Sequence, residues 1–380
     1  MVRVLHINCN YVGTKLHRTM ISHLDNEELK STIFAPIWNE SEKEKFDPKP
    51  NEKVAVCFHK WDRLLYFLKQ KKLLNAVRNH CNPVESFSCI HAHTLMTDGY
   101  VALKLNKLYG IPYIVSVRDT DINSFFRIKP YLIPIGIQVL RSSSAVVFLS
   151  ESYQDTMLSK YVPKRLRQVV LSKSYIIPNG IDDFWINNCF EKPDLLMTAD
   201  RLKMKEIKVL TVAKVNKTKN LPYLIEAFNM LRSKGWNIEH TIIGEKQDAK
   251  EYQKIAEDKN TIYIGPMDKT KLLSFYRKAD IFALASHHET FGLVYAEAMS
   301  QCLPVLYTRG QGFDGQFKEG IVGYSISDQN PLDVAKALEL ICENYISIAT
   351  NGPHYVSNFV WDDICEKYRE LYKGVSDVSN

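Results

Sequence analysis

The sequence lacks the features that would place the protein across a membrane, in an oxidising compartment or on nucleic acid. Its eight cysteines form no CxxC pair or other metal-binding spacing, which predicts reduced thiols in a cytoplasmic protein. No apolar run approaches the roughly 18 residues of a spanning helix. Residues 2–8 (VRVLHIN) indicate a strand and not a signal peptide. The net charge of +6 is small, so it fits phosphate ligands or anionic lipid without indicating nucleic acid.

The chain is long enough for two domains, since 380 residues exceed one ordinary core. Strand-like and helical runs alternate in two blocks, which predicts an α/β protein with two doubly wound parallel sheets. A Pro/Asn/Gly cluster at 177–182 marks the join. The predicted strands are 2–8, 31–37, 88–93, 112–118, 144–150 and 174–180, then 207–215, 237–245, 260–265, 279–285 and 303–308. Ligands of such sheets bind beyond the carboxyl ends of the strands, so we expect a site in the cleft between the two sheets.

The segment after the fourth predicted strand of the second block carries two glutamates, Glu289 and Glu297. Between them, Phe291, Gly292 and Leu293 open an apolar helix. The unpaired N–H groups and the positive dipole end of a helix start bind anions. A carboxylate two turns further in can bond a vicinal diol, as acidic residues bind ribose in dinucleotide folds. The segment therefore suggests a nucleotide-sugar site.

Two other strand ends carry candidate binding residues. The end of the first strand of the second block and the segment after it, which leads into a helix, carry Lys214, Lys217 and Lys219. This combination suits a diphosphate, although lysine clusters are more often solvated charges. Gly13 follows the first strand of the chain, where it either lets a ligand approach the backbone or makes a plain strand-to-helix turn.

Arg118 and Asp121 follow the strand 112–118, at a position where charged residues are site candidates. Together with Asp119, Asp121 has the spacing of a divalent-metal clamp, which is equally a turn or a helix cap. His91 and His93 point to one side of a strand, but no further Cys or His has a matching spacing. They are therefore predicted to belong to the core or to the wall of the cleft.

Two basic, apolar stretches, 61–80 and 125–143, fall in the first block. A basic amphipathic helix can lie on an anionic membrane, whereas an ordinary helix packs its apolar face inward. The membrane hypothesis therefore applies to the first domain.

The order of motifs along the chain resembles the retaining, nucleotide-sugar-dependent glycosyltransferases of family 4. These have the GT-B fold, in which two Rossmann-like domains face each other across a cleft. The resemblance covers nearly the whole chain, and its specific part is the Glu-x7-Glu segment with its Phe-Gly-Leu centre. The matching stretches are IHAHTLMTDG (90–99), VVFLSES (146–152), YIIPNGID (175–182), VAKVNKTKNLPYLIEAF (212–228), TIIGE (241–245), YIGPMDKTKLLSFYRKADIFALAS (263–286) and ETFGLVYAEAM (289–299).

The resemblance implies domain limits and residue roles. The last helix, 360–374, would return to the first domain, which gives an acceptor-side domain of 1–175 with 358–380 and a donor-binding domain of 176–357. Glu297 would hold the nucleotide ribose, and Glu289 would lie near the donor sugar. The other implied contacts are Phe291, Gly292 and Leu293 with the diphosphate or sugar, Lys214 and Lys219 with the leaving diphosphate, Gly13 with the donor sugar, and Tyr263, Ile264 and Gly265 with the nucleobase.

Three departures from the family pattern concern the identity of donor and acceptor. Family members often carry a histidine where this chain has Arg118 to Asp121, an arginine where it has Lys214, and two or more glycines in the loop of Gly13.

The expected activity is retaining transfer of a sugar from a nucleotide-sugar donor to a glycan or lipid-linked acceptor, in cell-envelope polysaccharide synthesis. Arg118 or Asp121 would position the sugar or the acceptor. Because lysines can neutralise the leaving diphosphate, we expect no essential metal and no cofactor. The expected location is the cytoplasm, with the inner face of the cell membrane as a hypothesis. The alternatives are a sugar-nucleotide epimerase or glycan phosphorylase on the same fold, and a non-catalytic partner subunit.

Overall fold

The computed structural model describes residues 1–44 and 46–377, which divide into two units. The first unit holds residues 1–149 and 153–178 and the C-terminal helix from Trp361 onward. The second unit holds residues 150–152 and 179–360. The domain limits predicted above, 1–175 with 358–380 and 176–357, stay a prediction, and their residues 378–380 lie outside the described part of the chain.

A seven-stranded parallel sheet forms the centre of the first unit. Its spatial order is β3-β2-β1-β4-β5-β6-β7. The inner strands are rich in Val, Ile and Phe and are buried along most of their length, as expected for a parallel sheet covered on both faces. The strands are β1 (Val2–Ile7), β2 (Leu29–Ile37), β3 (Glu52–Val56), β4 (Cys89–Ala92), β5 (Tyr113–Val117), β6 (Ala145–Phe148) and β7 (Ser174–Ile176).

The second unit repeats this plan with a six-stranded parallel sheet in the order β10-β9-β8-β11-β12-β13. The predicted fold class, two doubly wound parallel sheets, is confirmed. The strands are β8 (Glu206–Val212), β9 (Asn237–Ile243), β10 (Thr261–Ile264), β11 (Ile281–Ala283), β12 (Val305–Thr308) and β13 (Gly323–Ile326).

Helices connect the strands in both units. Several begin at a side-chain cap, as α1 does at Thr14 and α12 at Asp268. The helices of the first unit are α1 (Lys15–Leu24), α2 (Glu40–Glu44), α3 (Tyr66–His80), α4 (Asp98–Tyr109), α5 (Ile133–Ser142), α6 (Glu151–Thr156, whose first two residues belong to the second unit) and α7 (Lys164–Leu171), with π-helical turns at Thr120–Phe126 and Met157–Tyr161 and 3₁₀ turns at Lys60–Arg63, Val84–Ser86 and Pro130–Leu132.

The second unit continues with seven helices, and the chain ends in an eighth that belongs to the first unit. None of the helices among the described residues combines the length and the apolarity needed to cross a bilayer. These helices are α8 (Asp183–Asn187), α9 (Leu195–Lys203), α10 (Leu221–Arg232), α11 (Ala249–Ala256), α12 (Lys269–Lys278), α13 (Leu293–Ser300), α14 (Pro331–Tyr355) and finally α15 (Trp361–Asp377), with 3₁₀ turns at Lys217–Lys219 and Val356–Phe359.

The C-terminal helix α15 packs on the first sheet beside α1. Trp361, Tyr368 and Tyr372 are buried against residues of β1, β2 and β4. Polar contacts hold its outer side, since the Asp362 carboxylate lies 2.7 Å from Nδ1 of His23. This helix therefore completes the core of the unit in which the chain begins.

One buried carboxylate forms several polar contacts at the amino-terminal end of β11 in the second sheet. Asp280 is fully buried just before β11 and accepts hydrogen bonds from Arg201 at 2.6 Å, Lys192 at 3.3 Å and the amide of Lys208 at 2.7 Å. The two cations and the amide together compensate for the loss of hydration of the buried charge.

Candidate functional site

The carboxyl ends of β8 and β11 adjoin where the strand order of the second sheet reverses. β8 pairs with β9 on one side and with β11 on the other. Open α/β sheets bind ligands at such a switch point. The two loops that leave these strands are joined there, because the amide of His287 donates to the carbonyl oxygen of Thr218 at 2.9 Å.

Lys219 and Glu289 meet at this switch point. The lysine Nζ lies 2.5 Å from Oε2 of the glutamate, and the side chains are 21% and 12% exposed. Ser286 donates to the same carboxylate oxygen at 3.2 Å, and Asn216 accepts from the amide of Lys219 at 3.2 Å. The structure therefore brings these two predicted site residues together and holds a cation and a carboxylate in fixed, partly buried positions.

A third segment ties the two loops to the sheet. Nδ1 of His287 lies 2.7 Å from the Asp328 carboxylate, and Asn220 donates to the Asp328 carbonyl oxygen at 3.0 Å. Asn220 itself has a left-handed backbone, with φ of 51°, which ends the 3₁₀ turn and starts α10. The Lys219 loop and the Glu289 loop are thus fixed through the same residue, Asp328.

Gly292 starts α13 in a conformation that favours glycine. Its φ is +79°, and a Cβ there would come within 2.4 Å of the Tyr295 ring. Phe291 is buried beside it, against Phe313 and Phe359. The first amides of a helix have no partner inside it and can bind an anion, and the contact of Phe291, Gly292 and Leu293 with a diphosphate or sugar stays a prediction.

Glu297 lies further along α13 and is half-buried. Tyr276 donates to its Oε2 at 3.2 Å, and Tyr276 packs edge-on against Trp185. Burial raises the pKa of the Glu297 carboxyl to about 7, partly opposed by hydrogen bonds from Tyr276 and Trp185. Tyr276 and Trp185 were not predicted as site residues, since each reaches Glu297 from a different helix and nothing in the local sequence marks that contact.

Lys214 has a different partner from Lys219. It is exposed, and its Nζ lies 3.8 Å from the Glu245 carboxylate. The structure therefore places Lys214 in the loop after β8, as predicted, but pairs it with Glu245 and not with Glu289. A pair this exposed adds little to stability, which leaves the lysine available to an anion.

Tyr263, Ile264 and Gly265 lie at the end of β10, on the far side of β9 from Lys214. Tyr263 donates to the carbonyl oxygen of Gly244 at 2.8 Å. At Gly244 a Cβ would come within 1.9 Å of the Ala213 carbonyl oxygen, so only glycine lets the loops after β8 and β9 approach this closely. The predicted nucleobase residues are thus connected through Gly244 to the loop of Lys214.

The first unit has its own switch point, between β1 and β4. Gly13 lies in the exposed loop after β1, and a Cβ there would meet only the carbonyl oxygen of Asn10, at 3.7 Å. The backbone of this loop does not itself require glycine. The contact of Gly13 with a sugar stays a prediction.

Arg118 and Asp121 are buried at the end of β5. The Asp121 carboxylate accepts hydrogen bonds from the amides of Leu95 and Met96, at 3.0 and 2.9 Å, and from the amide of Arg118 at 2.9 Å. Burial raises the pKa of Asp121 to about 6, and these amide hydrogen bonds lower it in part. Nε of Arg118 donates to the carbonyl oxygen of His93 at 3.1 Å. Asp121 therefore organises the loop after β4, while its catalytic role and that of Arg118 stay predictions.

A buried carboxylate that was not predicted as a site residue, Asp98, lies in the same loop cluster. It accepts hydrogen bonds from the Thr94 hydroxyl at 3.0 Å and from the amide of Cys9 at 3.3 Å. Burial raises its pKa to about 7. Its position soon after a strand was the signal that could have identified it.

Three buried histidines form a polar network next to this loop cluster. Among residues 1–44 and 46–377, His6, His91 and His93 are the one group of potential metal ligands whose donor atoms lie within 4.8 Å of one another. Burial lowers the pKa of each ring, so the rings are neutral. Nδ1 of His6 lies 3.0 Å from Nε2 of His93, and His91 contacts the hydroxyls of Tyr372 at 2.6 Å and Ser116 at 2.9 Å. These contacts describe a hydrogen-bonded core, in which the rings bond to protein groups.

Comparison with known proteins identifies the family. A model of glycosyl transferases group 1 matches residues 196–352, and a model of glycosyltransferase family 4 matches residues 17–183. A D-inositol 3-phosphate glycosyltransferase of Paenarthrobacter aurescens is 24% identical over 76% of this chain and 74% of its own length. The capsular polysaccharide biosynthesis glycosyltransferase CapM of Staphylococcus aureus is 25% identical over 60% of this chain and 62% of its own length.

Solved structures show the same fold. A sucrose-phosphate synthase from Thermosynechococcus elongatus superposes with a TM-score of 0.75 at 15% identity, over the whole of both chains. HepE of Anabaena, in complex with UDP and glucose, superposes with a TM-score of 0.69 at 18% identity, over 98% of this chain and 100% of its own. The predicted GT-B fold is thereby confirmed. With both family models matching in succession along most of its length, the chain belongs to the family 4 glycosyltransferases.

Proposed function

We propose that this glycosyltransferase moves a sugar, with retention of configuration, from a nucleoside-diphosphate sugar to a glycan or lipid-linked acceptor in cell-envelope polysaccharide synthesis. The observation that carries the proposal is the Lys219–Glu289 pair, 2.5 Å apart beside the start of α13. The similarity to HepE, whose structure contains UDP and glucose, supports a nucleotide-sugar donor. The similarity to CapM supports a role in an envelope polysaccharide.

The proposed chemistry follows from where charge develops. When the nucleoside diphosphate leaves, negative charge grows on the β-phosphate, and Lys219 with the first amides of α13 would stabilise it. Lys214 would add a second cation, because its exposed pairing with Glu245 is weak. The acceptor hydroxyl would attack from the same face, with the departing phosphate taking its proton. This course needs no nucleophile from the protein.

For the rest of the donor we propose that Glu297 binds the ribose and that Glu289 lies at the sugar. A carboxylate accepts hydrogen bonds from both hydroxyls of a vicinal diol, and Tyr276 holds the half-buried Glu297 in one orientation. The Ser286 hydroxyl and Lys219 hold the Glu289 side chain in the same way. On the acceptor side we assign Arg118 and Asp121 to positioning.

A thermal-shift screen over UDP-, GDP-, ADP- and TDP-sugars tests the donor. A ligand that binds only the folded chain raises the melting temperature in proportion to the logarithm of its concentration over its Kd. We expect one base to give a clear shift and Glu297→Gln to reduce that shift. Four nucleotides without any shift would contradict the proposed donor class.

The anomeric configuration of the product tests retention. With the donor found in the screen and an acceptor fraction from cell envelopes, NMR of the new linkage is expected to show the configuration of the donor. An inverted linkage would contradict retention, and an isomerised sugar nucleotide formed without acceptor would indicate an epimerase.

Chelation tests the expectation that no metal is essential. Activity in EDTA is expected to equal activity in Mg²⁺, because lysines supply the positive charge. Loss of activity in EDTA with recovery on adding Mg²⁺ would show that the lysines are insufficient.

A further inference from the structure

The beginning of α3 and the turn before it expose an unusual run of large apolar side chains. Trp61 is 79% exposed and Phe67 is 57% exposed, and neither side chain belongs to the buried core. The inward face of the same helix is separate, since Tyr66, Gln70 and Leu73 are buried. The exposed set consists of Trp61, Leu64, Leu65, Phe67 and Leu68.

A second exposed apolar segment lies beside the first. The ring of Tyr66 contacts the ring of Phe125, with 6.3 Å between centroids. Tyr66 also donates to the carbonyl oxygen of Met96, whose amide bonds Asp121 in the π-helical turn. Just beyond that turn, Ile128 and Tyr131 are exposed. Residues 60–72 and 125–131 therefore form one surface of the first unit, named here the apolar–basic surface.

The charged residues of this surface are basic with one exception. The sequence of the two segments contains a single acidic residue, Asp62, and that carboxylate is buried and paired with Lys72 at 2.7 Å. Lys60, Lys71 and Arg127 are exposed. The basic residues of the two segments are Lys60, Arg63, Lys69, Lys71, Lys72, Arg127 and Lys129.

We propose that the apolar–basic surface binds an anionic lipid bilayer. Leucine and aromatic side chains enter the boundary between headgroups and acyl chains, while lysines and arginines bind the anionic headgroups. A protein partner would need acidic groups placed to match Lys60, Lys71 and Arg127, whereas an anionic bilayer supplies negative charge at every position. This proposal rests on the proposed function, since a lipid-linked acceptor would be held at such a bilayer.

Trp61 provides a direct test that needs neither donor nor acceptor. The purified chain is mixed with vesicles of phosphatidylglycerol and phosphatidylcholine, or of phosphatidylcholine alone, and its flotation is measured. Brominated lipids quench a tryptophan that enters the bilayer. We expect flotation with the anionic vesicles at low salt, and quenching that disappears in Trp61→Phe.

Two double variants separate the apolar and the basic contributions. Lys60→Ala with Lys71→Ala is expected to weaken binding about thirtyfold, since each basic residue near an anionic surface contributes about fivefold. Leu64→Ser with Phe67→Ser is expected to abolish quenching of Trp61. The matched controls are Lys234→Ala with Lys336→Ala, and Leu196→Ser with Met197→Ser. They change exposed residues of the second unit and are expected to bind as the natural chain does.

Two outcomes would overturn the proposal. One is the absence of flotation with anionic vesicles, and the other is binding that the control pairs reduce as much as the surface pairs do. Neither outcome bears on the proposed transfer reaction, because the thermal-shift screen measures donor binding in the absence of lipid. Conversely, a chain that floats but binds no nucleotide sugar would retain the surface and refute the proposed function.

Discussion

Replacing Glu297 by glutamine is expected to stabilise the protein while weakening donor binding. Burial raises the pKa of this carboxyl from 4.5 to about 7, so the folded state holds its proton more tightly than the unfolded state does. The free energy of unfolding therefore falls as the pH rises from about 4.5 to about 7 and stays lowered above that. Glutamine has no proton to lose, so Glu297→Gln avoids this loss.

The size of the effect follows from the shift and from the exposure of the side chain. One pKa unit corresponds to about 1.4 kcal/mol, and a shift from 4.5 to about 7 would give about 3.4 kcal/mol for a fully buried group. Glu297 is half-buried, and water screens part of the cost, so we expect about 1.5 kcal/mol at pH 8. For a unit of this size that corresponds to a rise in melting temperature of roughly 3–6 °C.

Differential scanning fluorimetry across pH measures both parts of the prediction. The advantage of Glu297→Gln over the natural chain is expected at pH 8 and should vanish at about pH 4.5. Glu226→Gln, at an exposed position of α10, is the matched control. The shift produced by the nucleotide sugar should shrink, because the loss of charged hydrogen bonds to the ribose costs about 1.5–3 kcal/mol. A variant less stable than the natural chain at pH 8, or an advantage independent of pH, would refute the role of burial.

Three further substitutions test other contacts in the second unit. Lys219→Met is expected to lower kcat about 10²–10³-fold in a steady-state transfer assay, because the leaving phosphate loses a cation. The exposed Lys217→Met is the control, and equal losses in both variants would contradict the proposed role of Lys219. Gly292→Ala is expected to destabilise by about 1–3 kcal/mol in urea unfolding, because of its positive φ and the close tyrosine ring. The control Gly374→Ala, in open space on α15, should be neutral or stabilising. Asp280→Asn is expected to cost about 3–5 kcal/mol in the same unfolding experiment, since two cations would lose their buried partner.

The inner strands of both sheets could be read from the sequence because burial on both faces demands continuous apolar runs. The strands β3 and β13 were missed. Both lie at the edge of a sheet, where strands are short and tolerate polar residues, so the pattern is weak. The predicted run 279–285 extends beyond β11, which ends at Ala283, because the chain stays buried as it leaves the sheet toward Glu289.

The sequence by itself determined the two-sheet plan, the family, and the segments that carry Lys219, Glu289 and Glu297. Periodicity and the spacing of motifs are local properties, so they can be recognised in the sequence without knowledge of long-range contacts. Only the tertiary structure decided the partners of these residues. It paired Lys219 with Glu289 and Lys214 with Glu245, and it placed Tyr276 and Trp185 on Glu297. These contacts join residues far apart in the sequence. The order of strands brings the end of β8 beside the ends of β11 and β9, which allows the first two pairs, and the packing of α8 and α12 against α13 gives the contacts of Glu297.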